Sequence, residues 1–290
     1  MKSKKTFHYA TFIAPTMLLF LLVYAVPVIV LFCSSFCNWR TGDTITFNGL
    51  GNYIELIFHD SSFGRSFLNN VVWILLQSTI HVSFGVIFAL ILARQPFYWK
   101  FARTAYMIPS IVSSAAMGML FLCMFNAEFG MINSVVRKFI PGFAHNWIMS
   151  YETSFLTVTL TWLPYAGITT LIVLTEIISI DRSIIEAATV DGADAVQMNR
   201  YIILPLLKNI IGTSVILEAS GMLKKLDTIM LMTRGGPGDA TMNLPMFIYR
   251  TSMTENNFGM ANAAGVILIL LGCATVMIIN RLFKVGEGNA

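Results

Sequence analysis

Long apolar runs alternate with short polar stretches along this chain. Six apolar blocks fall at about residues 9–36, 68–93, 104–125, 153–178, 207–225 and 259–280. Each is long enough to cross roughly 30 Å of hydrocarbon as a helix rising about 1.5 Å per residue. Barrel strands are short and alternate in polarity, whereas these blocks are continuous, so the pattern predicts helices. The expected fold is all-α: a polytopic membrane protein with six transmembrane helices, forming a single domain over residues 1–290. The fifth block contains Glu218 and ends at Lys224-Lys225, which leaves its limits the loosest.

Composition strengthens this reading. Of 290 residues, 56% are hydrophobic and only 12% charged, about half the charged share of a soluble domain. The run from Tyr9 to Phe36 is too long for the apolar core of a cleaved signal peptide, so it is expected to stay as an anchor helix. Cys33, Cys37, Cys123 and Cys273 lack CxxC spacing and nearby histidines, and read as core-packing residues with no metal or disulfide role. No basic cluster interleaves with aromatics, which excludes a nucleic-acid surface. The four histidines are scattered, and neither HExxH nor GxSxG occurs, which argues against a membrane enzyme.

Charge supplies an orientation. With the N-terminus inside, the cytoplasmic segments hold eleven of the nineteen Lys and Arg residues. Several of these, including Arg94, Lys100, Arg103 and Arg281, crowd the span ends where the bias counts most. Both termini are therefore expected in the cytoplasm, as is the polar segment between the fourth and fifth blocks.

That segment, residues 181–206, is built from local signals for helix, turn and helix. Ser183-x-x-Glu186 has the form of a capping box opening a helix through Val190. Asp191-Gly192 is a turn signal, and Asp194-x-x-Gln197 is a second capping box. Pro205 suits the first turn of the helix that follows. Ala187, Ala188, Gly192, Ala193 and Ala195 remove bulk around the turn, and Glu186, Asp191 and Asp194 place negative charge beside it. A self-contained hairpin and a docking surface for a basic partner are both compatible with this pattern.

The same residues carry a resemblance. Glu186-Ala187-Ala188, Gly192 and Ile202-x-Leu204-Pro205 reproduce E-A-A-x3-G-x9-I-x-L-P, the EAA motif of permease subunits in binding-protein-dependent ABC importers. Downstream, Thr233-x-Gly235-Gly236-Pro237-x3-Thr241 is similar to the T-x-G-G-P segment of the maltose-type, carbohydrate-importing branch. Leu244, Tyr249 and Phe258-Gly259-Met260-Ala261 fit that branch as well, and Phe47-x-Gly49-Leu50-x-Asn52-Tyr53 echoes it more weakly. Ile180-Asp181 departs from the pattern where a proline is expected, which puts the helix cap at Asp181 or Ser183.

The resemblance implies an importer in which this chain binds no cofactor, and two ATPase subunits bind ATP and Mg. The chain itself lacks G-x-x-x-x-G-K-[ST]. Further implied partners are a second, paralogous permease, an extracytoplasmic solute-binding protein, a carbohydrate substrate and membrane lipid, in a bacterial plasma membrane. Carried onto this sequence, Glu186, Ala187, Ala188, Asp191, Gly192 and Asp194 would couple to the ATPase. Gly235, Gly236 and Pro237 would touch the binding protein. Asn126, Trp162 and Tyr165 are candidates for the substrate pathway, since sugar sites combine aromatic faces with hydrogen-bonding groups. A polyol or a glycerol phosphodiester is the alternative cargo. Gln77 and His81 share a helix face and are expected to bond between helices.

Overall fold

The computed structural model describes residues 12–285 and is mainly helical. Lys2, Lys4, Lys5, His8 and the start of the first block lie outside the described residues. Four helices are each long and apolar enough to cross a membrane: Phe12–Ser35, Ser61–Ala93, Tyr151–Ser179 and Phe258–Phe283. The third and fifth expected spans are not straight. Trp99–Ile111 turns through 101° into Ser114–Met124, and Ala195–Leu206 turns through 67° into Lys208–Met222.

Both bends have local causes. Pro109 sits two residues before the end of its helix, where it removes a donor and crowds the preceding turn. Ser113 then restarts the chain as an N-cap, its hydroxyl accepting from the Ala116 N–H at 3.3 Å. At the second bend Leu207 is fully buried and anchors the corner. Pro205 therefore lies in the last turn before the corner, and not in the first turn of Lys208–Met222. Pro164 interrupts the fourth span with a tight turn over Leu163–Ala166.

The described residues fall into two compact units. The first comprises 12–64 with 247–269. A short antiparallel ladder pairs Cys37–Asn38 with Thr46–Phe47. Buried Asn52 donates to the carbonyls of Ser35 (2.8 Å) and Cys37 (2.9 Å) and so closes this ladder onto the first helix. Asn262 Nδ2 donates to Ser34 Oγ at 2.7 Å, tying the last span to the first.

The second unit comprises 65–246 with 270–285. Its main packing is Val82–Ala93 against Gly167–Ser179. Small residues permit this close approach: a Cβ at Gly85 would lie 2.6 Å from the Thr169 methyl. All four cysteines are free, but Cys33, Cys123 and Cys273 are exposed, contrary to the expected core packing. In an apolar solvent an outward-facing thiol costs little, so an apolar block does not mark its cysteines as core.

Candidate functional site

The segment between the fourth and fifth spans folds as helix, turn and helix. Arg182–Val190 starts at Asp181, whose carboxylate accepts the Ser183 N–H at 2.9 Å. That bond holds the Asp181 carboxyl below the usual carboxylate range. The cap is thus Asp181, and the Ser183–Glu186 capping box does not form. This leaves Glu186 exposed at the surface, with no hydrogen bond or ion pair among the described residues.

Gly192 turns the chain at φ +83°, a conformation that favours glycine. The Ala193 N–H reaches back to Ala188 O at 3.0 Å. Asp194 then makes the full expected capping box: its Oδ1 accepts from Val196 and Gln197 at 2.8 Å each, and Gln197 returns a bond to the Asp194 N–H. The six expected coupling residues therefore divide. Glu186, Ala187, Asp191 and Gly192 are exposed, Ala188 is buried inside the hairpin, and Asp194 spends its carboxylate on the cap. Val190 and Val196 add exposed apolar surface at the same tip.

The glycine-rich segment is a packed brace. Thr241 Oγ1 lies 2.6 Å from Thr233 Oγ1 and 2.7 Å from Gly236 O, stapling the two ends of the loop. Asn69, from the second span, donates to the carbonyls of Ala240 (3.1 Å) and Met242 (2.8 Å). Gly235 is buried at φ +88°, and a Cβ there would lie 2.5 Å from Met242 Cε. Gly236 and Pro237 are half-buried, while Arg234 and Gly238 stand exposed.

The three expected pathway residues have different surroundings, although the Trp162 and Tyr165 rings both lie near Lys225. Asn126 caps the loop beyond Met124, its Oδ1 accepting from Glu128 (2.9 Å) and Phe129 (3.2 Å). Trp162 is a core residue, 2% exposed and packed edge-on to Trp73 at 4.8 Å. Tyr165 is half-buried at the break in the fourth span, with Lys225 Nζ 4.7 Å from its ring centre.

A family model described as the binding-protein-dependent transport system inner membrane component matches residues 81–284. This chain belongs to that family. It is a transport subunit and not an enzyme, embedded in the membrane, and its ATPase partners are separate chains. The permease is 30% identical to the sulfoquinovosyl glycerol transport system permease protein SmoG of Agrobacterium fabrum, over 94% of this chain and 89% of that one. It is 26% identical to the arabinooligosaccharides transport system permease protein AraP of Halalkalibacterium halodurans, over 94% and 86% of the two chains. Its fold matches a chain in the crystal structure of a bacterial alginate ABC transporter in complex with an alginate pentasaccharide-bound periplasmic protein. The TM-score is 0.84 at 21% identity, covering 98% of the permease and 97% of that chain.

One polar cluster of the permease was visible only as separate residues in the sequence. His81 Nε2 lies 3.1 Å from Trp162 O, and His81 Nδ1 lies 3.3 Å from Glu218 Oε2. Thr169 donates to Glu218 Oε1 at 3.0 Å. Three spans thus meet at one carboxylate. The shared face of Gln77 and His81 pointed to interhelical bonding, and His81 provides it, while buried Gln77 Oε1 has no partner among the described residues. The part Asn69 takes in the loop brace is not among the sequence expectations, although an asparagine within an apolar block is a usable signal.

Proposed function

We propose that this permease conducts an oligosaccharide through a bacterial plasma membrane, coupled to ATP hydrolysis through the exposed hairpin at residues 181–206. The observation that carries this reading is the complete E-A-A-x3-G-x9-I-x-L-P pattern, folded as a capped helix–turn–helix with Glu186 free at its surface. Glu186 pairs with a basic residue of a cytoplasmic ATPase subunit, and Ala187 with Gly192 allows close backbone approach. Asp191 adds charge at the turn. Because Ala195–Leu206 runs through a fixed corner into Lys208–Met222, movement of the hairpin is passed to the fifth span as a lever.

A pair of ATPase subunits holds ATP and Mg. A second, paralogous permease completes the pathway, and an extracytoplasmic binding protein delivers the sugar near the loop bearing Gly235, Gly236 and Pro237. Because Gly235 is buried, contact at this loop falls on Arg234 and Gly238, with Gly236 and Pro237 as their support. Both termini lie in the cytoplasm. The carbohydrate assignment is supported by the names of the relatives above and by the T-x-G-G-P segment.

The test is Glu186→Lys. Uptake of sugar by cells and co-purification of the ATPase should both fall to background, while the permease remains in the membrane. Normal uptake with the ATPase retained would remove the hairpin from coupling.

A further inference from the structure

Lys225 carries a half-buried ammonium inside the second unit. Lys208–Met222 ends short of a full crossing, and the chain carries Lys225, half-buried, against the break at Leu163–Ala166. That break lies at the middle of Tyr151–Ser179, so Lys225 packs against the middle of that helix and not against its end. Its backbone is pinned there. Asn243 Nδ2 donates to Lys225 O at 2.6 Å, while Asn243 Oδ1 accepts from Met246 N at 2.9 Å.

Around Nζ the described residues offer ring faces and no acceptor. The Tyr165 ring centre is 4.7 Å away and that of Trp162 5.8 Å. Among the described residues no carboxylate approaches Nζ within 4.0 Å. The two neighbouring acids attract the ammonium from a distance and bond to other groups: Asp227 accepts from Ser114 at 3.0 Å, and Glu218 accepts from Thr169 beside His81. Trp162 Nε1, buried beneath the ammonium, also lacks a hydrogen-bond partner.

Physical chemistry restricts what this arrangement is for. A charge inside a membrane is costly and marks a ligand or ion pathway by default. Aromatic faces attract an ammonium, yet they leave its three N–H donors without acceptors. What is missing is an anionic acceptor, and the half-exposed Tyr165 ring beside it offers an apolar face for a sugar ring. We infer that Lys225, flanked by Tyr165, is a specificity-determining subsite that takes the carboxylate of an acidic oligosaccharide, such as one containing uronic acid. This rests on the carbohydrate reading above and names the substrate class within it.

The test uses the complete importer, with its ATPase, second permease and binding protein, in proteoliposomes. The probe is a mixture of uronate-bearing di- to tetrasaccharides and the neutral sugars made from them by carboxyl reduction. Lumenal sugars are identified by mass spectrometry. Wild type should enrich the uronate-bearing species. In Lys225→Met the acidic-to-neutral ratio should fall about tenfold, as expected for losing one charge-assisted hydrogen bond, and Lys225→Arg should retain it.

Accumulation of neutral sugars alone by wild type would overturn the acidic subsite and leave the carbohydrate reading intact. If wild type imports no sugar of either kind, both fall. A ratio unchanged in Lys225→Met, or loss of the second permease on purification of that variant, makes Lys225 a structural or subunit contact and overturns the inference.

Discussion

His81 and Glu218 meet between two spans of the permease, Nδ1 to Oε2 at 3.3 Å, with Thr169 of a third span bonded to the other carboxylate oxygen. His81 is almost fully buried, so its polar atoms depend on these partners. Replacing Glu218 with Leu leaves the Thr169 hydroxyl without its acceptor and removes the carboxylate beside His81 in an apolar setting. The expected loss is roughly 1–3 kcal/mol, read as a lower thermal midpoint in detergent. Glu218→Gln keeps an acceptor for Thr169 and should cost less. Equal midpoints for wild type and Glu218→Leu would show that the cluster contributes nothing to stability.

Gly235 and Gly42 share nearly the same backbone, φ +88° and +89°, but not the same surroundings. At Gly42 nothing lies within 4 Å of an added Cβ, whereas at Gly235 Met242 blocks it. Gly42→Ala should therefore lose only the left-handed conformational preference, about 1 kcal/mol. Gly235→Ala adds overpacking and should lose about 3 kcal/mol. Comparative unfolding of the two variants checks this, and similar midpoints would contradict the packed-brace account of the loop.

The hairpin caps give a third contrast. Asp194→Ala removes both N–H contacts at the start of the second hairpin helix and should weaken it by roughly 1 kcal/mol. Faster amide exchange at Val196 and Gln197 is the expected readout. Ser183→Ala should leave exchange in Arg182–Val190 unchanged, because Asp181 holds that cap. Faster exchange there in Ser183→Ala would restore the Ser183 capping box.

The two caps show what was legible locally. Asp194-x-x-Gln197 acts within four residues, and the structure forms it as the sequence indicates. Ser183-x-x-Glu186 has an equally good pattern but loses to Asp181, which starts the helix two residues earlier by accepting the Ser183 N–H. Competition between neighbouring caps depends on the angle at which the chain leaves the preceding span. Trp162 and Tyr165 show the same limit for the site. They lie three residues apart on one span, yet one is core and the other half-buried, because a proline turn separates their directions.

The sequence by itself determined the helical class, the approximate crossings, the family and the polar hairpin. These follow from hydropathy over ~20 residues and from hydrogen bonds made within four, both of which are written along the chain. Tertiary structure alone decided that two crossings bend and that the glycine loop is braced by Asn69. It also brought His81 to Glu218 and placed Lys225 over Tyr165 at a broken span. Those outcomes depend on which faces of distant helices pack together. Within lipid the hydropathy pattern says little about that choice, since every face of a span is apolar and small residues and buried polar atoms make the selection.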